Sequence, residues 1–486
     1  MEVRNDITME PIDKNVMAAQ SPPPPPSSTW EALKDAIRGS EADYTRIPLT
    51  RAIFLLAVPM ILELVMESLF AVVDIYFVGK LGASAVATVG LTETFLFLLY
   101  SIAMGLATAV TAIVARRVGE KNQLDAGKAA IQAIFLAVLC SLPFSIAGIF
   151  YAKELLTVMG ADEWSINNGY GYTQWMLGGN AVIFLLFVIN AIFRGAGDAA
   201  IAMRVLWIAN IINIALDPIF IFGLGPIPAM GVEGAAIATN IGRGIGVLIQ
   251  LWTLFKGGKH IRVTLSQLYW DAATVINILK TSLGGIGQMI VSMTSWIFLM
   301  RILADVGSEA VAGATIALRI MMLTMMPAWG FSNAAATLVG QNLGAGHPDR
   351  AESSVWRIGF CNMGYLIAVA VIYYLNNEWL MSFFTDDARV ISIGGEWLRI
   401  LSYSYFVYGW WMVSTQAFNG AGDTRTPTYI NLVFFWLIQI PLCYLLAIKL
   451  DWAESGVFWG VFISETSVGL FTLWLFTRGS WKKAVV

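Results

Sequence analysis

Apolar residues in this chain neither alternate with polar ones nor trace a narrow helical stripe; they come in long blocks with short polar gaps between them. A hydrocarbon slab ~30 Å thick is crossed by about 20 helical residues, so each block of that length predicts a transmembrane helix. Twelve such blocks lie over 52–79, 86–115, 126–151, 166–193, 199–222, 231–256, 276–303, 309–340, 354–376, 391–418, 426–449 and 455–478. The predicted fold class is therefore an all-α integral membrane protein of twelve spans, with both chain ends on one side. The first fifty residues differ in kind: they are polar, mixed in charge, and carry a proline run from Pro22 to Pro26 that favours an extended spacer. A largely disordered tail over 1–50 is expected, with 1–45 dispensable for function. Within it Ser28-Thr29-Trp30-Glu31 offers a capped helix start, and Trp30, Leu33 and Ile37 share one face, which leaves open a short interfacial helix or a plain linker. No short apolar core with a cleavage site precedes residue 50, so no secretory signal is expected there.

Composition sharpens the solvent question. Of the 486 residues only 13% are charged and 57% are hydrophobic, with mean hydropathy +0.68. Soluble domains carry ~25% charge, so a soluble enzyme is excluded. A net charge of −3 gives no basic surface for nucleic acid, and neither zinc-type spacing nor a nucleotide loop is present. Cys140, Cys361 and Cys443 sit inside apolar blocks and read as small hydrophobes. About sixteen Lys and Arg lie in or beside the even-numbered gaps and the C-terminal tail, against about six beside the odd-numbered gaps. The positive-inside rule then places both termini in the cytoplasm of a plasma or bacterial inner membrane.

The chain also repeats itself. At an offset of 225, Gly82, Ala85-Val86-Ala87 and Gly119 match Gly307, Ala310-Val311-Ala312 and Gly344, while Phe193 and Gly195-Ala196-Gly197-Asp198 match Phe418 and Gly420-Ala421-Gly422-Asp423. Each copy holds six spans, so the copies enter the membrane in the same direction and are related by an axis along its normal. The expected organisation is a six-helix lobe over 51–256, a linker over 257–275, a second lobe over 276–479 and a tail over 480–486, with a cleft between the lobes.

Intramembrane acids mark function by default, because a carboxylate at a helix centre costs roughly 2.5–3.5 kcal/mol on insertion scales. At ~100° per residue, Glu63, Glu67 and Asp74 fall within about 40° of one another along roughly 16 Å of helix, and so face a common cavity or partner. Asn213 and Asp217 share a face in the fifth span with Pro218 behind them, and Thr239 adds a hydroxyl from the sixth. The repeat offset sends Glu63, Glu67 and Asp74 to Gln288, Ser292 and Leu299, and Asn213 and Asp217 to Ile438 and Leu442. The second copy manages without these acids. The acidic site is therefore expected in the N-terminal lobe alone, where its use is reversible proton or cation binding. The structural alternative is an ion pair with Arg243, Arg301 or Arg319.

On Val73-Asp74-Ile75-Tyr76-Phe77-Val78-Gly79-Lys80-Leu81-Gly82, Phe193-Arg194-Gly195-Ala196-Gly197-Asp198, Asn213-Ile214-Ala215-Leu216-Asp217-Pro218, Gly234-Ala235-Ala236-Ile237-Ala238-Thr239 and Leu338-Val339-Gly340-Gln341-Asn342-Leu343-Gly344, the chain resembles the multidrug and toxic compound extrusion (MATE) family over roughly 51–478. The resemblance implies a secondary-active exporter that extrudes amphipathic or cationic organic compounds in exchange for H+ or Na+. It also implies that Asp74, Asn190, Asn213, Asp217 and Thr239 match the cation-coupling network of the archaeal-type branch, with Asp74, Asp217 and Asn213 as the ligands if the ion is Na+. Glu67 departs from that pattern, as does Glu63. Another branch uses acids of the seventh and tenth helices, where this chain offers Gln288, Ser292 and Tyr408.

No cofactor beyond the coupling ion is expected, and the expected partners are a small organic substrate and membrane lipid, with the transporter a monomer. The Gly-Ala-Gly-Asp pair reads as two helix-junction turns. Trp296, Trp329, Tyr405, Tyr408, Trp410 and Trp411 offer π faces to an organic cation, or pack the lobes and line the lipid interface. His260 and His347 fall in predicted cytoplasmic gaps, out of reach of a mid-membrane proton path. The competing functions are a flippase of lipid-linked precursors, a channel and an intramembrane enzyme; scarce intramembrane Lys and the lack of a His-Glu-x-x-His or Gly-x-Ser-x-Gly motif stand against the first and last.

Overall fold

In hydrocarbon an unpaired backbone N–H or C=O costs several kcal/mol, so an apolar block must close its hydrogen bonds on itself as a helix. In the computed structural model, which describes residues 29–40, 42–257, 261 and 263–484, helices cover every predicted block. Eleven of them are long and apolar enough to cross a membrane. The remaining block, 391–418, is a span made of two consecutive helices, Ala388–Ser402 and Tyr405–Ala421. The fourth span is interrupted at the equivalent place, between Tyr170–Gly178 and Ala181–Ala196. Each of these spans ends in the Gly-Ala-Gly-Asp motif, where Gly197 and Gly422 take left-handed φ of 94° and 93° that stop the helix; the motif is a turn in both copies.

The first (Leu49–Gly79), second (Ala83–Gly119), seventh (Ala272–Val306) and eighth (Ser308–Gly344) spans join the lobes. The join obeys the repeat. A Cβ on Gly119 would overlap the Gln341 carbonyl, and one on Gly344 would overlap the Arg116 carbonyl, each position lying 225 residues from its counterpart. Likewise a Cβ on Gly105 would overlap Ile286, and one on Gly330 would lie 2.6 Å from Ile61. This is a self-complementary contact about a pseudo-two-fold axis, made by small residues that let backbones touch where lipid supplies no hydrophobic drive. The cores are exchanged in the same way. Val275 and Ile278 of the seventh span belong to the N-lobe core, while residues from Leu49 to Met60 of the first span share a core with the eighth, ninth and tenth.

Hydrogen bonds between the lobes among the described residues gather at the end where the first span begins and the twelfth finishes. Thr337 donates to the Arg194 carbonyl (3.1 Å), Gln341 to the Gly195 carbonyl (2.9 Å) and Arg116 to the Ala484 carbonyl (3.2 Å). That end is closed. Further along, the first and eighth spans part around an open groove lined by Val65, Leu69, Val72, Leu323 and Met326.

The expected disorder of the tail is corrected from Thr29 onward; the proline run and the rest of 1–28 lie outside the described residues. Thr29–Arg38 is a helix, with Ala36 buried and Trp30 exposed. After it Ala42, Tyr44, Thr45 and Ile47 are buried across the closed end. Arg350 of the second lobe donates to the Tyr44 carbonyl (3.0 Å) and the Ile47 carbonyl, while Lys121 of the first lobe donates to Asp43 (2.7 Å). Burial would raise the Asp43 carboxyl, but hydrogen bonds from Lys121 and Thr45 outweigh it and hold it below the usual aspartate range. The segment straps the two lobes together because a buried apolar pair and paired carbonyls fix it on both sides. The linker is anchored too: Lys128 binds Asp271 at 2.8 Å, and together with Thr274 holds that half-buried carboxyl down to about 2.

Two outcomes follow. Deleting 1–28 is expected to leave thermal stability in detergent unchanged, whereas deleting 1–47 removes the Tyr44 and Ile47 burial, worth about 2–4 kcal/mol, and lowers Tm. Because the folded Asp43 carboxyl is depressed, the stability it contributes is present above the unfolded aspartate value and is lost as pH falls through the folded one. Proteolytic protection of 42–48 should therefore fall on acidification, and a strap equally protected at acid pH would contradict this.

Candidate cation-coupling site

The stripe of acids on the first span turns into the N lobe as its spacing requires, but its members do not share one fate. Nearest the closed end, Glu63 is buried and accepts at Oε1 from Arg194 (3.0 Å) and Asn190 (3.1 Å), and Gln250 donates to Asn190 at 2.6 Å. One turn on, Glu67 accepts from Arg243 (2.9 Å) and Asn210 (3.1 Å). Arg243 is fixed in turn by the Tyr100 hydroxyl at 3.4 Å and lies over the Phe70 ring at 5.3 Å. These two tiers are neutral as units.

The tier toward the open end is of another kind. Asn213 donates to Thr239 at 3.0 Å, which spends its N–H and leaves its Oδ1 free. Asp217 is fully buried with neither oxygen hydrogen-bonded, and Oδ1 of Asp74 is likewise buried without a partner. The two carboxylates act on one another electrostatically, and Arg243 and Glu93 act on Asp74 from further off. Four oxygens without donors, from two carboxylates and an amide, form a set of hard ligands suited to a proton or to Na+. Among the described residues no group of three or more His, Cys, Asp or Glu is placed to hold a metal ion.

The expected site thus divides. Asp74, Asp217, Asn213 and Thr239 come together, Asn190 belongs with Glu63 instead, and Glu63 and Glu67 are held in ion pairs. The arginine alternative proves right for Glu67 through Arg243, and the partner of Glu63 is Arg194. Arg301 pairs with Asp305 on an exposed face, and Arg319 acts on Glu93 of the second span. Sequence reasoning missed Arg194 because it sits inside the turn motif, and its only signal was being a cation flanked by apolar residues. In the second lobe Gln288 donates to Asn419 (2.9 Å) and Asn431 to Ser292 (3.4 Å), an amide network where acids were not expected. Outside the expected site, Glu465 of the twelfth span (Ala453–Thr477) is a further buried acid, in the second lobe. Among the aromatics, Trp410 is wedged between Trp356 and Phe360, and Trp296 lies on Trp397, so both serve packing. His347 precedes the ninth span at its start, and His260 lies outside the described residues.

Both halves of the chain match the family model MatE, over 59–219 and 283–445. The chain belongs to the MatE family. It is 27% identical over 433 residues, 89% of this chain and 93% of the relative, to the probable multidrug resistance protein NorM of Thermotoga maritima. It is 23% identical to the FAD transporter of Shewanella oneidensis, over 82% of this chain and 88% of that one. Among solved structures, one described as the outward-facing conformation of a multidrug resistance MATE family transporter of the MOP superfamily superposes with a TM-score of 0.84 at 25% identity, covering 91% of this chain and 98% of the other. Membership in MatE makes the chain a multi-pass membrane antiporter for small molecules and sets the enzyme reading aside.

Buried pairs and unpaired acids should answer mutation oppositely. Arg243→Ala strands Glu67, and losing one partner of a buried pair costs about 3–5 kcal/mol, somewhat less here because Glu67 is one-third exposed. Asp217→Asn removes an unpaired buried charge and should leave Tm unchanged or raised. A thermal-shift comparison in detergent checks both, and a large loss in Asp217→Asn would place that carboxylate among the structural pairs.

Proposed function

We propose that this MatE transporter exports amphipathic or cationic organic compounds in exchange for H+ or Na+, with the ion loading among Asp74, Asp217, Asn213 and Thr239. One observation carries the reading: on the first span Glu63 and Glu67 are ion-paired with Arg194 and Arg243, while Asp74 on the same helix and Asp217 on the fifth make no ion pair among the described residues. Two like charges in low dielectric repel strongly, so a single bound cation changes how closely the first span can approach the fifth and sixth. Pro218 in the fifth span, directly after Asp217, removes a backbone hydrogen bond at the tier, which lowers the cost of bending there.

A cationic substrate drawn by the same negative charge loses part of its binding energy once the ion is in place, and linkage makes the effect reciprocal. The NorM relative and the FAD transporter bear names that span quite different organic cargoes, which accords with a cleft defined by shape and charge more than by one ligand. Arg194 and Arg243, the arginines beside the acid stripe, are already paired with Glu63 and Glu67 and so are not available to hold lipid phosphates, which speaks for an exporter over a flippase. Arg116, Arg117 and Lys121 at the closed end support placing that end, with both termini, in the cytoplasm of the cell membrane. The closed state then faces outward. The N lobe provides the complete ion tier within one chain, consistent with a working monomer.

In purified protein, substrate affinity should respond to pH at fixed sodium or to sodium at fixed pH, by about 5–150-fold. Asp74→Asn and Asp217→Asn should each abolish that response, and Gln288→Ala and Ser292→Ala should keep it. An affinity indifferent to both ions would defeat coupling through these carboxylates.

A further inference from the structure

Glu465 stands at the midpoint of Ala453–Thr477, only 6% exposed, and its Oε2 accepts no hydrogen bond. The twelfth span packs on the seventh, tenth and eleventh, and at its far end on the turn Ser480–Lys483. No acidic or basic residue occurs between Lys280 and Arg301, between Arg399 and Asp423, or between Arg425 and Lys449. The titratable groups set against Glu465 are Tyr405 and Tyr408 from the tenth span and Cys443 from the eleventh, all ordinarily neutral at pH 7. Lys482 is about 25 Å of helix away and already bound to Glu352 and Asp349. No counter-charge is within reach.

A carboxylate so placed is costly as an anion, and a bound proton removes that cost. Yet the surroundings also hold donors for the anion. The Trp411 indole N–H and the Ser464 hydroxyl are buried without partners, the Tyr405 hydroxyl meets that of Tyr373, and Tyr405, Tyr408 and Trp411 follow one another along one face of the tenth span, with ring centroids 6.2 and 4.9 Å apart. Both protonation states can be accommodated, which suits a group that titrates more than one kept permanently neutral. A metal cation needs a shell of several oxygens, and one carboxylate among aromatic rings does not supply it. Repeat symmetry offers no structural reason for an acid here either, since the equivalent position is Asn240, which donates to the Trp175 carbonyl at 3.0 Å.

We propose that Glu465 is a second proton-binding site, in the C lobe, loaded independently of the Asp74 and Asp217 tier. It rests on the exporter reading only in taking that tier as the first site, so the two can fail separately. The test is infrared difference spectroscopy of the purified full-length protein between acid and alkaline pH, which reads the carbonyl band of a protonated carboxyl group. Wild type should lose such a band on alkalinisation. Glu465→Gln should lack it and release about one proton fewer per chain, while Glu465→Asp, which keeps a carboxyl group, should show it displaced. The double variant Asp74→Asn/Asp217→Asn should retain it, whether or not its transport survives. Identical spectra for wild type and Glu465→Gln, a Glu465 band that persists at alkaline pH, or its removal by sodium at fixed pH would each overturn the proposal.

Discussion

Everything in this molecule hangs on how closely the second and eighth spans approach at the closed end. Glycines at Gly119 and Gly344 let each helix rest on a carbonyl of the other, and the arrangement is the same read from either lobe. With backbones in contact there is no slack at this seam for gradual deformation. The lobes either meet there or they do not, which is the kind of element that supports two discrete states. The exchanged first halves of the first and seventh spans extend the same logic, because each lobe completes its core with a helix of its partner.

Charge is distributed on that frame by what the local dielectric permits. Glu63 and Glu67, deeper toward the seam, are neutralised by Arg194 and Arg243, and these pairs fix the first span against the fourth and sixth. Above them the pairing stops, and the polar atoms left over belong to Asp74, Asp217 and Asn213. The order along the helix is therefore anchor, anchor, unpaired acid. A span held at one depth and free of partners at another is well built to bend in response to what binds above.

Much of the architecture was legible in the sequence because it follows from run length and repetition. Apolar blocks gave the spans, and the offset of 225 marked out two copies and paired Gly119 with Gly344, whose place at the seam only the packing shows. Helical spacing also put the first-span acids on one face. It could not say which neighbouring helix would face each acid, and so could not separate the paired from the unpaired. Arg194 was hidden in a motif whose turn geometry explained it sufficiently. Glu465 escaped because arithmetic begun from the N-lobe acids never lands on it. The strap was unreadable for a different reason: Tyr44 and Ile47 are two apolar residues in a polar stretch, and only the shape of the closed end makes a place for them.

The strap is also a ruler. Ile47, gripped by Arg350 of one lobe, lies four positions on from Asp43, gripped by Lys121 of the other. Fully extended, that stretch spans at most ~14 Å. Parting of the lobes at this end is therefore bounded by chain length for as long as both grips hold, and a wider excursion must first let one of them go.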